Sequence, residues 1–153
     1  MDEQKLREER INKNLNLNKL PGRLKQKSSR ALGAEISNFI HHVFIERAKS
    51  QSLNWCFDNI KRVKIFLQIF HANESGAEIY KEEIAKNLSE YSYKTIAKIV
   101  DEGLAKGFFV LLPPTDNVGK DGKVKNIRPS EELITDFLNL CIEILFYIDK
   151  KKP

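Results

Sequence analysis

The stretch SYKTIAKIVDEGLAKGFFVLLPP, residues 92–114, decides how this chain is read. Ser92 is a good N-cap residue, because its hydroxyl can accept a backbone N–H left over at a helix start. Ile96, Ile99, Val100 and Leu104 then recur at the spacing of one helix face, and Gly107 is a natural stop. After Gly107 the pattern changes to FFVLL, a β-rich run that Pro113-Pro114 ends. A helix passing directly into a strand is therefore expected here.

Downstream, DNVGKDGK (116–123) is a polar tip with two glycines, and VKNIRPS (124–130) reads as a second short strand. The two runs form a hairpin. The chain then enters SEELITDFLNLCIEILFYIDK (130–150), with Ser130 as N-cap and Glu131 and Glu132 matched to the helix dipole. Its apolar residues, Leu133, Ile134, Phe137, Leu138, Cys141, Ile144, Leu145 and Ile148, cover too wide a face for a helix lying on one small domain. One side is expected to meet another subunit.

Upstream, YKEEIAKNL (80–88) reads as a helix with Ile84, Ala85 and Leu88 inward, separated from the 92–107 helix only by the short turn SEY. Two helices so joined must pack at an angle. Before them lies a helix in which Ile60, Val63, Phe66, Leu67, Ile69 and Phe70 alternate with Lys61, Arg62 and Lys64, ending in the turn HANESG (71–76). An aromatic segment, LNWCF (53–57), and a polar break, KSQS (49–52), precede it. From Ser28 or Ser29 to about Ala48, the residues Leu32, Ile36, Phe39, Ile40, Val43 and Phe44 mark a long amphipathic helix. Residues 1–27 start helix-prone, at EQKLREERI, but then hold repeated Asn and Pro21-Gly22, and as a whole read as an extended arm.

Helix, helix, helix and hairpin, flanked by outer helices, is the winged helix-turn-helix plan. The expected fold class is mainly α with a small β-hairpin wing (α+β). The divisions are a basic N-terminal arm (1–27), an N-terminal helix and connector (28–58), a winged helix-turn-helix domain (59–130) and a C-terminal dimerisation helix (131–153).

Composition bounds what this plan can do. With 153 residues, 41% hydrophobic and 31% charged, the chain has room for one domain plus extensions and is not a disordered sequence. The longest apolar stretch, residues 133–148, is short for a bilayer span and is interrupted by Asp136, Asn139 and Glu143. The start, MDEQKLREER, lacks the apolar core of a signal peptide, so a cytoplasmic, nucleoid-associated protein without a membrane is expected. Residues 1–30 carry nine Lys/Arg and four Asp/Glu, an excess equal to the whole chain's net charge of +5. The positive charge thus belongs to the arm, which suits a nucleic-acid partner or serves as a solubilising tail. From Ser92 to Arg128 seven bases face four acids, a modest surplus for a DNA-binding surface.

No catalytic site, cofactor site or metal site is read from the sequence. There is no HExxH, GxSxG, P-loop or GxGxxG pattern. His41 and His42 are neighbours on a helix and point about 100° apart. Cys56 and Cys141 lack CxxC spacing and sit among apolar residues, as core thiols do.

The segment TIAKIVDEGLAKGFFV (95–110) resembles the recognition helix and wing entry of MarR-type transcriptional regulators. Thr95, Ile96, Ala97-Lys98, Ile99-Val100-Asp101 and Gly107 match that family's pattern; EEIAKNL resembles its preceding helix, and NIRPSEEL its passage from the second wing strand into a dimerisation helix. The resemblance covers about residues 59–148. Three departures stand out, the first a turn before Ser92 that is about one residue longer than usual. Gly103 falls where an apolar residue is common, and the wing tip carries Lys120, Lys123 and Lys125 in place of an Asp-x-Arg-Arg element.

What the resemblance implies is a homodimeric, sequence-specific duplex-DNA-binding regulator, with helix 92–107 in the major groove and the wing, 108–128, on the backbone. The effector, if any, stays open. A recognition helix needs one buried stripe and short polar or basic side chains opposite it. Ser92, Tyr93, Lys94, Thr95 and Lys98, with Lys120, Lys123, Lys125 and Arg128, are the candidate DNA contacts. Ala97 lies on the same face, and Lys61, Arg62, Lys64 and Lys81 are second-rank phosphate candidates. Each of these lysines also suits an ordinary solvated face. The alternative function is a winged-helix adaptor that binds protein or RNA without specific DNA readout.

Overall fold

In a computed structural model, which describes residues 2–15, 29–112 and 126–150, the chain divides into two compact units, Met1–Ile45 and Glu46–Pro153. The described elements are mainly helical, with one two-stranded antiparallel sheet.

In the first unit, helix α1 spans Glu3–Asn14 and is capped by Asp2, whose carboxylate accepts the Gln4 N–H at 2.7 Å. This corrects the expectation of an extended arm over its first half. The propensity of Glu, Lys and Arg for helix outweighs the later Asn residues, and ion pairs such as Arg10–Glu3 at 3.1 Å run along the surface. No residue of α1 is buried. Helix α2, Ser29–Ala48, follows the expected bounds, but Ile36, Ile40 and Phe44 on its apolar face remain about half exposed.

The second unit is built from short capped elements. Helix α3, Gln51–Cys56, starts where the sequence shows a polar break: the Ser50 hydroxyl accepts the Leu53 N–H at 3.1 Å. Ser52, Leu53, Trp55 and Cys56 are buried. Helix α4, Ile60–Ser75, is capped by Asn59 and runs through His71–Ser75, beyond the expected stop, to end on Gly76 at φ 73°. A left-handed residue at that place is cheap only for glycine. Helix α5, Lys81–Asn87, lacks a side-chain cap, but Glu82 and Glu83 in its first turn oppose the helix dipole.

Helix α6, Tyr93–Ala105, begins at Ser92, whose hydroxyl accepts the Thr95 N–H at 3.1 Å. It closes at Gly107, φ 79°. Strand β1, Phe109–Leu112, follows at once and pairs antiparallel with β2, Asn126–Pro129, with Phe109 opposite Pro129 and Leu112 opposite Asn126. Helix α7, Glu131–Lys150, starts at Ser130, which accepts the Leu133 N–H at 3.0 Å.

Three packing features hold the second unit together. Phe66 lies within 5.1–5.6 Å, between ring centroids, of Phe57, Phe70 and Phe137, which ties α4 to α7. Asp136 on α7 accepts both the Ser50 and the Ser52 hydroxyls at 2.8 Å, pinning the start of α3. The segment before α5 joins the sheet: Ile127 N–H donates to the Ile79 carbonyl and Ile79 N–H donates to Asn126 Oδ1, each at 2.9 Å. Asn126 is 1% exposed, so this backbone pairing is what satisfies a buried amide.

Gly103 has a packing role. A Cβ built on it would stand 2.5 Å from Phe109 Cε2, and closer still to Cδ2. The ring of the first strand residue thus lies directly on α6, and a bare glycine makes the helix-to-strand corner possible.

Candidate nucleic-acid interface

Buried Ile96, Ile99, Val100 and Gly103 form the inward stripe of α6. At about 100° of rotation per residue, Lys94 and Lys98 fall on the opposite face, together with Asp101 and Ala105. Both lysines are exposed, and neither forms an ion pair or hydrogen bond with a described residue. Tyr93, at the first position of α6, is 49% exposed, and its hydroxyl is 3.5 Å from Glu82 of α5. Ala97 is half-buried.

Other candidate residues are already engaged in the fold. The Ser92 hydroxyl is used as the helix cap and lies 3.0 Å from Thr95 Oγ1, so the two hydroxyls are bonded to each other. Lys64 donates to Glu90 at 2.9 Å and lies 5.3 Å from the centre of the Tyr91 ring, with Lys61 at 5.7 Å from the same ring. The hydrogen bond to Glu90 raises the Lys64 ammonium above its ordinary value and holds the Glu90 carboxyl below its own. Both lysines therefore brace the turn between α5 and α6.

Arg62 stacks its guanidinium on Trp55, 4.7 Å from the ring centre, and pairs with Asp58 at 3.2 Å and Glu102 at 3.7 Å. Lys81 pairs with Asp101, tying α5 to α6. Of the second-rank phosphate candidates, Arg62, Lys64 and Lys81 have their charge balanced within the fold. Arg128, opposite Val110 in the sheet, is half-buried and has no ion-pair partner among the described residues. Lys120, Lys123 and Lys125 lie outside the described residues.

The arrangement thus separates two kinds of cation. Arg62, Lys64 and Lys81 fasten α4, α5 and α6 to one another, and Lys94 and Lys98 have no partner among the described residues. Sequence spacing placed Lys94 and Lys98 on the outer face, because both lie opposite an apolar stripe. It could not show which of the others are paired, since Lys64–Glu90 and Lys81–Asp101 are 26 and 20 residues apart in sequence. The bracing of Tyr91 and the seating of Phe109 on Gly103 were also missed; the one signal was the glycine inside an otherwise apolar stripe.

Among the described residues no group of three His, Cys, Asp or Glu is placed to hold a metal ion, and no helix is long and apolar enough to cross a membrane. Burial pushes the Cys56 thiol up to about 12 and raises that of Cys141, so both are poor nucleophiles near neutrality. An open hollow of about 350 Å³ in the first unit is lined by Gln4, Arg7, Glu8, Ile11 and Arg30, with Glu8 paired to Arg30 at 2.9 Å. Comparison with protein-family models, with curated proteins and with solved structures finds no match to this chain.

Proposed function

We propose that this chain is a winged helix-turn-helix protein, similar to MarR-type regulators, that binds duplex DNA as a homodimer and regulates transcription. The observation that carries the reading is the pair Lys94 and Lys98, without a partner among the described residues, on the outer face of a capped helix whose turn is braced from behind. A major-groove helix needs that combination: a fixed pose and unspent side chains. The three-part edge of Ile79, β2 and β1 behind α6 supports the winged plan, because it fastens the hairpin to the helix pair. In this reading α6 enters the major groove, and Arg128 and the tip lysines Lys120, Lys123 and Lys125 meet the backbone.

Dimerisation through the N- and C-terminal helices is part of the proposal. On α7, Leu138, Ile142 and Leu145 are 45%, 59% and 65% exposed while Leu133 and Leu140 are buried. A helix apolar on both sides is what a subunit interface needs. Two copies also double a modest positive charge, and the bases in residues 1–30 add an electrostatic contribution that needs no sequence.

The test is duplex-DNA binding by fluorescence anisotropy across a salt series, for the full chain and for the K94A/K98A double variant. The proposal expects log K to fall linearly with log salt, and the double variant to lose at least about ten-fold in specific binding with an unchanged circular-dichroism spectrum. Unchanged binding in the variant removes α6 as the reading face. A second reading, an adaptor that binds protein, is favoured by one observation: Asp101 is exposed on the lysine face of α6, and Glu82 and Glu83 are exposed on α5, so the surface is not strongly positive. A monomer without salt-dependent affinity for duplex DNA would establish the adaptor over the regulator.

A further inference from the structure

We infer that α6 reads guanine, through two lysines that reach neighbouring base steps. This rests on the DNA-reading assignment above and narrows it to a class of target sequence.

The inference follows from what the outer face of α6 offers. Ser92 and Thr95 are hydrogen-bonded to each other and to the helix start, and Asp101 is bridged to Lys81. Glu102 lies toward Arg62. The helix from Tyr93 to Ala105 contains no Asn, Gln or Arg. Asn and Gln are the side chains that read adenine by pairing one acceptor and one donor, so α6 has no means of doing so. The cations of α6 that have no partner among the described residues are the ammonium groups of Lys94 and Lys98.

An ammonium group has three donors and no acceptor, so only acceptors on a base edge can satisfy it. In the major groove cytosine presents a donor, adenine an acceptor beside a donor, and thymine one acceptor beside a methyl group. Guanine alone presents two adjacent acceptors, O6 and N7. A lysine at the groove floor is therefore best satisfied by guanine and penalised at cytosine. Ala97, between the two lysines and half-buried, offers only a methyl surface, which a thymine methyl group suits.

The spacing gives the second half of the inference. Lys94 and Lys98 are four residues apart, about 6 Å along the helix axis at 1.5 Å per residue. A recognition helix lies along the groove at an angle to the DNA axis, so residues about one turn apart reach neighbouring base steps. Each half-site is expected to hold guanines at two neighbouring positions, on either strand.

The test selects bound fragments from random duplex DNA with the full chain. It then replaces each enriched guanine by 7-deazaguanine, which removes the N7 acceptor and leaves base pairing intact. Expected are half-sites with two neighbouring guanines, about a 5- to 100-fold loss of binding on either replacement, and loss of that sensitivity at one position in K94A and at the other in K98A. K94R and K98R, which keep guanine-directed donors, retain the preference. Enriched sites that lack the neighbouring guanines, or that are indifferent to 7-deazaguanine, overturn the guanine inference while leaving sequence-specific binding intact. No enrichment at all overturns the DNA reading, and this inference with it.

Discussion

Replacing Gly103 by alanine tests the corner on which the α6–β1 arrangement depends. In a helix interior the change normally stabilises by about 1 kcal/mol, because alanine is the better helix former. Here the new methyl would stand 2.5 Å from Phe109 Cε2 and 3.2 Å from Cγ, the root of the ring, so a turn of the ring alone does not relieve the clash. Phe109 is 1% exposed, sits 5.8 Å edge-on to Trp55, and is held by its strand opposite Pro129. Overpacking of this kind costs about 1–3 kcal/mol, and the confinement places it near the top of that range. Net of the helix gain, G103A should destabilise the protein by about 1–2 kcal/mol. Gly33 in α2 is the control, since a Cβ there meets nothing within 4 Å, and G33A should stabilise by about 0.5–1 kcal/mol. Urea denaturation followed by circular dichroism and by the fluorescence of the sole tryptophan, Trp55, measures both. A G103A protein as stable as the parent would show that the Phe109 ring does not rest on Gly103.

Three other outcomes are expected. Asp136→Ala removes the acceptor shared by Ser50 and Ser52 and should cost about 2–3 kcal/mol in urea denaturation; a loss under about 0.5 kcal/mol would mean that the α3–α7 pin is decorative. Ser92→Ala should cost about 1 kcal/mol and speed amide exchange at Tyr93–Thr95, whereas Ser92→Asn, which restores the cap, should not. Cys56 should resist alkylation at pH 8 until the chain unfolds. Above pH 9 the unfolded thiol loses its proton while the folded one keeps it until about 12, so stability falls as pH rises through that window, by up to about 1.4 kcal/mol per pH unit. Cys56→Ala should lack that part of the decline, and an identical pH profile in both proteins would contradict burial of the thiol.

The element order was legible from residues 59 to 150 because it is written in local physics. Ser92 and Ser130 cap helices through bonds spanning three residues, Gly76 and Gly107 end them by backbone conformation, and the change from helical spacing to a β-branched and aromatic run marks the sheet. The outward placement of Lys94 and Lys98 was legible for the same reason, since a helix face is a matter of spacing. Helix α3 was not: six residues are too few to display a period, and four of them are buried, so their polarity does not alternate. Nor was the helical start of the arm, where composition alone weighed helix formers against Asn, Pro and Gly.

Other features depend on residues far apart in sequence. Asp136 meets Ser50 across 86 residues, Ile79 meets Asn126 across 47, and Lys64 meets Glu90 across 26. A lysine in a helix has the same sequence signature whether it braces a turn or waits for a ligand. Only tertiary packing brings the acid that neutralises Lys64 or Lys81, and leaves Lys94 and Lys98 without one among the described residues. The place of α6 is thus a property of local sequence, while the pairing of its charges is a property of the fold.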